Sequence, residues 1–134
     1  MGLMMAVTER SEREWLDLWR GAVCSSVRSD APDLTARQQA ILMTVALTRG
    51  PHTVRGLAAL LDIAKPAVTR ALDSLAKQNL IKRVKDETDL RSVIIERTPE
   101  GADYLRAFSS FIAAAASGEE PASAMPQIAD KRAA

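Results

Sequence analysis

Apolar residues recur at helical spacing in five stretches of this chain, and two short β-prone runs lie between the fourth and the fifth. Ser11-Glu12-Arg13-Glu14 has the form of a capping box, with Ser11 as N-cap and Glu14 reaching back. Behind it Trp15, Leu18, Trp19, Ala22 and Val23 share one face, which predicts a helix to about Val27, where "RSDAPD" breaks it. A second box, Thr35 to Gln38, opens a helix that should bury Ile41, Leu42 and Val45, with Ala46 beside them, and stop at Gly50-Pro51. Thr53 is the expected N-cap of a short helix through Leu57, Leu60 and Leu61. After a turn from Asp62 to Ala64, Pro66 fits the first turn of a further helix, where its missing N–H is no loss. That helix continues through Leu72 and Leu75 to about Gln78.

The next pattern changes period. "LIKRVK" and "SVIIER" are joined by the polar link "DETDL", which is of hairpin size. Thr98 then caps a final helix with Pro99 at its first position and an apolar stripe of Tyr104, Leu105, Phe108, Phe111 and Ile112. The expected organisation is a flexible N-terminus over 1–10, a domain over 11–117 with flanking helices at 11–28 and 99–116, and a flexible tail over 118–134. Helix, helix, short helix, turn, helix, hairpin, helix is a mainly α arrangement with a small β-hairpin wing, that of a winged helix-turn-helix.

A wheel of the helix after the turn separates two faces. With Val68 inward, Leu72, Leu75 and Ala71 fall within roughly 60° of it at about 100° per residue. Pro66, Arg70, Asp73 and Lys77 fall opposite, with Thr69 at one edge and Ala67 and Ser74 at the other. Arginine pairs bidentately with guanine, threonine contacts bases or phosphates, and an alanine methyl can meet a thymine methyl. The plain alternative is the solvated face of an ordinary helix. Its position between a turn and a basic hairpin favours a reading face.

Charge sharpens this picture. Net charge is only +1, but Lys65, Arg70, Lys77, Lys82, Arg83 and Lys85 face a single acid, Asp73, between residues 65 and 85. A basic zone confined to one part of the chain is a candidate anion-facing surface. On the hairpin, Lys82, Arg83 and Lys85 suit phosphates, and Arg91 near the tip suits a minor groove. Of the acids in "DETD", Asp89 is expected to hold either Arg91 or a neighbouring backbone N–H.

Composition removes other classes. Hydrophobic residues at 47% suit a folded domain, and aromatics at 4% leave a core of Leu, Ile, Val and Ala. The lone Cys24 cannot form an internal disulfide, and the lone His52, placed in a connection, cannot anchor a Cys/His metal cluster. No set of residues for catalysis and no phosphate loop is visible, so neither an enzyme nor a cofactor is expected. "MGLMMAV" lacks the features of a signal peptide and no run suits a membrane span, which points to the cytoplasm.

From Leu34 to Leu105 the chain resembles the MarR family of winged-helix transcription regulators. The resemblance rests on "LTARQQAIL", "TVRGLAALLDIAKPAVTRALDSLAKQNLIKR" and "DETDLRSVIIERTPEGADYL", in the family's order and spacing. It implies a homodimer on a pseudo-palindromic operator, with a recognition helix at 65–78 in the major groove and a wing at 81–97 in the minor groove. Lys65, Ala67, Thr69 and Arg70 would then lie in the groove, Arg91 would be the wing arginine, and Thr53 would cap its helix against a phosphate. Leu90 stands where many members carry a second arginine, and the long terminal helix of the family is replaced by a proline-containing tail. Dimer contacts would fall to Trp15, Leu18 and Trp19 of the first helix and Leu105, Phe108, Phe111 and Ile112 of the last. The family implies a small-molecule effector of unknown identity, or a redox sensor at Cys24, whose nearest cations by sequence are Arg20 and Arg28. A winged helix used only to bind protein is the alternative function, favoured by Asp73 and the acidic loop.

Overall fold

Short-range capping sets the first two helices. In the computed structural model, which describes residues 9–118, α1 runs Glu12–Arg28 and α2 runs Ala36–Leu47. Both capping boxes are formed in full, Ser11 with Glu14 and Thr35 with Gln38. The Ser11 backbone N–H donates to Glu14 at 3.1 Å, and this bond, with that from the Ser11 hydroxyl, holds the Glu14 carboxyl below the usual glutamate range.

The helix α3, Val54–Leu61, begins on Thr53, whose Oγ1 accepts the Gly56 N–H at 3.0 Å. It ends on Asp62, which takes the left-handed conformation (φ 54°) that closes a helix. Two residues later α4, Lys65–Lys77, starts with Ala64 as N-cap and Pro66 in its first turn. Two strands follow, β1 (Ile81–Lys85) and β2 (Val93–Arg97), antiparallel with Arg83 opposite Ile95 and Lys82 opposite Glu96. The helix α5, Pro99–Ala116, closes the described chain.

Contact density divides the chain into two units, Leu34–Leu105 and the pair of segments Met1–Asp33 and Arg106–Ala134. The core of the first unit is built from Ile41 and Leu42 of α2, Leu57 of α3, Val68, Leu72 and Leu75 of α4, and Ile81 and Ile95 of the hairpin, all essentially sealed from solvent. Each such side chain contributes about 1.5–3 kcal/mol on burial. Gln39 Nε2 donates to the Tyr104 hydroxyl at 2.9 Å within this unit. Thr98 joins the hairpin to α5: its hydroxyl donates to the Asn79 carbonyl at 2.6 Å and accepts the Gly101 N–H at 2.9 Å. Gly101 is buried against the Leu80 carbonyl and leaves no room for a Cβ.

In the second unit Trp19 meets Phe108 at a tilt, with ring centroids 5.6 Å apart and planes at 57°, and Phe111 meets Phe108 edge-on. Phe108, expected in a dimer contact, is buried within its own chain by these rings, so it offers no surface to a partner. Leu18, Phe111 and Ile112 are half-buried there, as is Leu105 in the first unit. Trp15 and Trp19 keep 40% and 45% of their surface exposed, beside exposed Leu16, Val23 and Val27. Residues 1–8 and the tail beyond Gly118, expected to be flexible, lie outside the described residues. Among the described residues no helix is long and apolar enough to cross a membrane.

Candidate nucleic-acid interface

Burial on α4 splits its residues as an amphipathic helix should. Val68, Ala71, Leu72 and Leu75 face inward, while Lys65, Pro66, Thr69, Arg70, Asp73 and Lys77 are exposed. Ala67 departs from the wheel, which put it at the edge of the outer face. It is only 9% exposed, because the buried arc of α4 is rotated roughly 30° from Val68 toward Ala71, where α2 and α3 both pack. Its methyl is therefore taken up by the core and leaves the candidate groove contacts.

The hairpin that follows α4 is a two-stranded antiparallel ribbon. Its loop is held by its own acids. Asp86 accepts from the Thr88 amide at 2.9 Å and the Thr88 hydroxyl at 2.8 Å. These bonds, the hydroxyl's first, hold the Asp86 carboxyl below the usual aspartate range. Of the two partners considered for Asp89, the backbone one is present: Oδ1 accepts the Arg91 N–H at 3.1 Å, and Oδ2 accepts the Ser92 hydroxyl at 3.0 Å. The Ser92 N–H closes a turn on the Asp89 carbonyl, with Leu90 and Arg91 at its two corners. Both corner side chains are exposed, Leu90 by 73%.

At its middle the ribbon gains a further backbone bond. The Ile95 N–H donates to the His52 carbonyl at 2.8 Å, so the connection that carries His52 pairs with β2 at one point. His52 thus does more than occupy a turn, and its ring Nε2 lies 3.1 Å from the Thr48 carbonyl oxygen.

The cations fall into two groups. Arg83 Nη2 lies 2.7 Å from Asp73 Oδ1, and Lys82 Nζ lies 3.9 Å from Glu96. Lys65, Arg70, Lys77, Lys85 and Arg91 make no ion pair among the described residues. The Asp73–Arg83 contact was invisible in the sequence, where the two residues stand ten apart on different elements. The only hint was Asp73 itself, a lone acid on a basic face. Cys24 is half-buried with Arg20 Nη1 at 4.0 Å from its sulfur. Among the described residues no group of His, Cys, Asp and Glu side chains could hold a metal ion.

Residues 34–93, the span from the start of α2 to the end of the wing loop, match the sequence profile of the MarR family. Over that span the winged helix is similar to the MarR family. The transcriptional regulator AdcR of Streptococcus pyogenes serotype M6 is 38% identical to it over 82 residues, 61% of this chain. The match covers 51% of AdcR, so the chain spans about half the length of that curated relative. A crystal structure of the adhesin competence repressor AdcR from Streptococcus pyogenes superposes with a TM-score of 0.52 at 28% identity, over 75% of this chain and 72% of that one. A MepR variant of S. aureus, bound to an oligodeoxyribonucleotide, gives a TM-score of 0.61 at 24% identity, over 75% and 76% of the two chains. That likeness is one of fold. In the winged helix described here, α3 and α4 are the helix-turn-helix and β1–β2 is the wing.

Proposed function

We propose that the chain is a sequence-specific DNA-binding transcription regulator that acts as a homodimeric repressor. The observation that carries this reading is the exposed set Lys65, Arg70 and Lys77, which make no ion pair among the described residues, on the face of α4 that packing leaves free, with Arg91 at the corner of the wing turn. In it α4 enters the major groove, Arg70 and Thr69 read base edges, and Lys65, Lys77 and Lys85 meet phosphates. Arg91 reaches the minor groove, where negative potential favours a guanidinium. Thr53 keeps its capping role beside the backbone, and Pro66 presents a compact first turn to the groove. Lys82, loosely paired with Glu96 across the ribbon, adds a weaker phosphate contact. The MepR–oligodeoxyribonucleotide complex, which shares this fold, and the name of the AdcR repressor support the class. The exposed Trp15 and Trp19 stripe supports pairing of two copies. A protein-only module loses support, because Asp73 is neutralised by Arg83 and two of the three loop acids, Asp86 and Asp89, are engaged within the loop itself.

Fluorescence anisotropy with duplexes selected by the wild-type chain from a random pool tests the reading. Binding should weaken with salt, by up to about 0.9 in log–log slope for each phosphate neutralised. Arg70→Ala should cost about 1–3 kcal/mol and relax preference at one base pair per half-site. Unchanged affinity of Arg70→Ala at fixed salt refutes the role given to α4.

A further inference from the structure

The contact that packing does not require, and the interface as drawn does not use, is the ion pair between Asp73 and Arg83. Asp73 sits on the outer face of α4, one turn from both Arg70 and Lys77. Its carboxylate would stand among groups proposed to face DNA, where a bare negative charge repels the phosphates. Arg83 removes that liability at 2.7 Å. Arg83 is also placed to transmit position. It lies at the middle of β1 opposite Ile95, and Ile95 is both buried in the core and bonded to the His52 carbonyl. A side-chain bond from α4 to this point ties the recognition helix to the middle of the ribbon.

We propose that Asp73 and Arg83 form a clasp that fixes the wing against the recognition helix, with Arg83 engaged by Asp73 rather than by phosphate. Both are positioning residues, and the inference rests on the DNA-binding reading above. In water an exposed pair of this kind contributes little, and the Asp73 side chain is 64% exposed. Docking against a duplex strips water from the pair and strengthens it. Its effect therefore appears in discrimination between DNA sequences more than in the stability of the free protein. The clasp keeps Arg91 at one distance from Arg70, so that both reach their grooves together only on a site of matching geometry.

Asp73→Asn and Arg83→Gln, alone and combined, separate the possibilities. Affinity is measured for a duplex selected by the wild type and for its scrambled counterpart, over a range of salt. The clasp predicts that Asp73→Asn lowers the ratio of selected to scrambled affinity by roughly five- to tenfold, with the melting temperature and salt slope nearly unchanged. Arg83→Gln should weaken all binding by baring the carboxylate, and adding Asp73→Asn to it should recover affinity for both duplexes. If Asp73→Asn instead tightens both duplexes equally, or if Arg83→Gln lowers the salt slope by about one, Arg83 is a phosphate contact and the clasp is wrong. A second measurement needs no DNA. Nitroxide labels at Glu87 on the wing loop and Leu60 on α3, in a Cys24→Ser background, should give a narrow distance distribution that broadens in both variants. Identical distributions in all three chains overturn the clasp. Absence of salt-dependent DNA binding by the wild type overturns the regulator reading instead, and the label distances then decide the pairing by themselves.

Discussion

Replacing Gly101 by alanine should destabilise the winged helix, although alanine is the better helix former. Gly101 lies in the first turn of α5, directly beneath the Leu80 carbonyl, and an added Cβ falls well inside contact with that oxygen. The same Cβ would stand 3.2 Å from the Leu80 carbonyl carbon and 3.4 Å from Leu42 Cδ1. Neither neighbour yields cheaply. Leu80 accepts the Thr98 N–H at 3.2 Å and donates its own N–H to Leu75 at 2.9 Å, so moving it strains the junctions of α4, β1 and α5 together. Overpacking of this kind costs about 1–3 kcal/mol, and loosening a hydrogen bond adds about 1 kcal/mol. The helix preference of alanine returns at most about 1 kcal/mol. The net expectation is a loss of about 1–3 kcal/mol, which for a domain of this size lowers Tm by about 4–8 °C per kcal/mol. Thermal denaturation followed by circular dichroism measures it. Gly56→Ala is the control, because its Cβ would meet only the Thr53 hydroxyl at 3.2 Å, the end of a half-buried side chain and not a fixed backbone atom. It should be neutral or slightly stabilising. A Gly101→Ala protein that melts at or above the wild-type temperature refutes the close-approach argument.

Two further expectations concern the other unit and the wing loop. Trp15→Glu, at a side chain 40% exposed, should leave helicity unchanged but weaken self-association by at least about 2 kcal/mol in sedimentation equilibrium; an unaltered dimer constant removes Trp15 from the interface. The Asp86 carboxyl, lowered by its bonds to Thr88, stabilises the loop at pH values above the ordinary aspartate range and loses that effect as pH falls through its folded value. NMR titration should place its midpoint below that of the unfolded chain, with Thr88 amide protection lost on the acid side; an ordinary midpoint contradicts the loop geometry.

The parts of the fold that local chemistry dictates were legible in the residues. Ser11 with Glu14, Thr35 with Gln38, Thr53 with Gly56 and Thr98 with Gly101 each span three residues, and each cap forms where the sequence puts it. The strands of the wing were equally plain, because apolar and β-branched residues stand together on both sides of a polar link. What escaped is non-local. A wheel centred on Val68 could not foresee that α2 and α3 would draw Ala67 inward. Phe108 carries the same stripe signature as Ile112, yet one is sealed, with the rings of Trp19 and Phe111 against it, and the other only half-covered. Asp73 looked like a misfit for DNA until Arg83 arrived from a different element. The candidate site was therefore readable as a set of residues, but the internal pairing of its charges was not.

The single backbone bond from Ile95 to the His52 carbonyl has a consequence for the chain in a crowded solution. A two-stranded ribbon exposes the outer edges of both strands, and an exposed edge is a template on which other chains can assemble. Here the midpoint of the β2 edge is already taken by a neighbouring segment of the same molecule, and β1 ends on the exposed Lys85, a residue type that discourages edge pairing. The wing can thus project into solvent without seeding fibrils or strand exchange. Replacing the connection at Gly50, Pro51 and His52 with an unstructured linker would bare that edge for pairing with other chains.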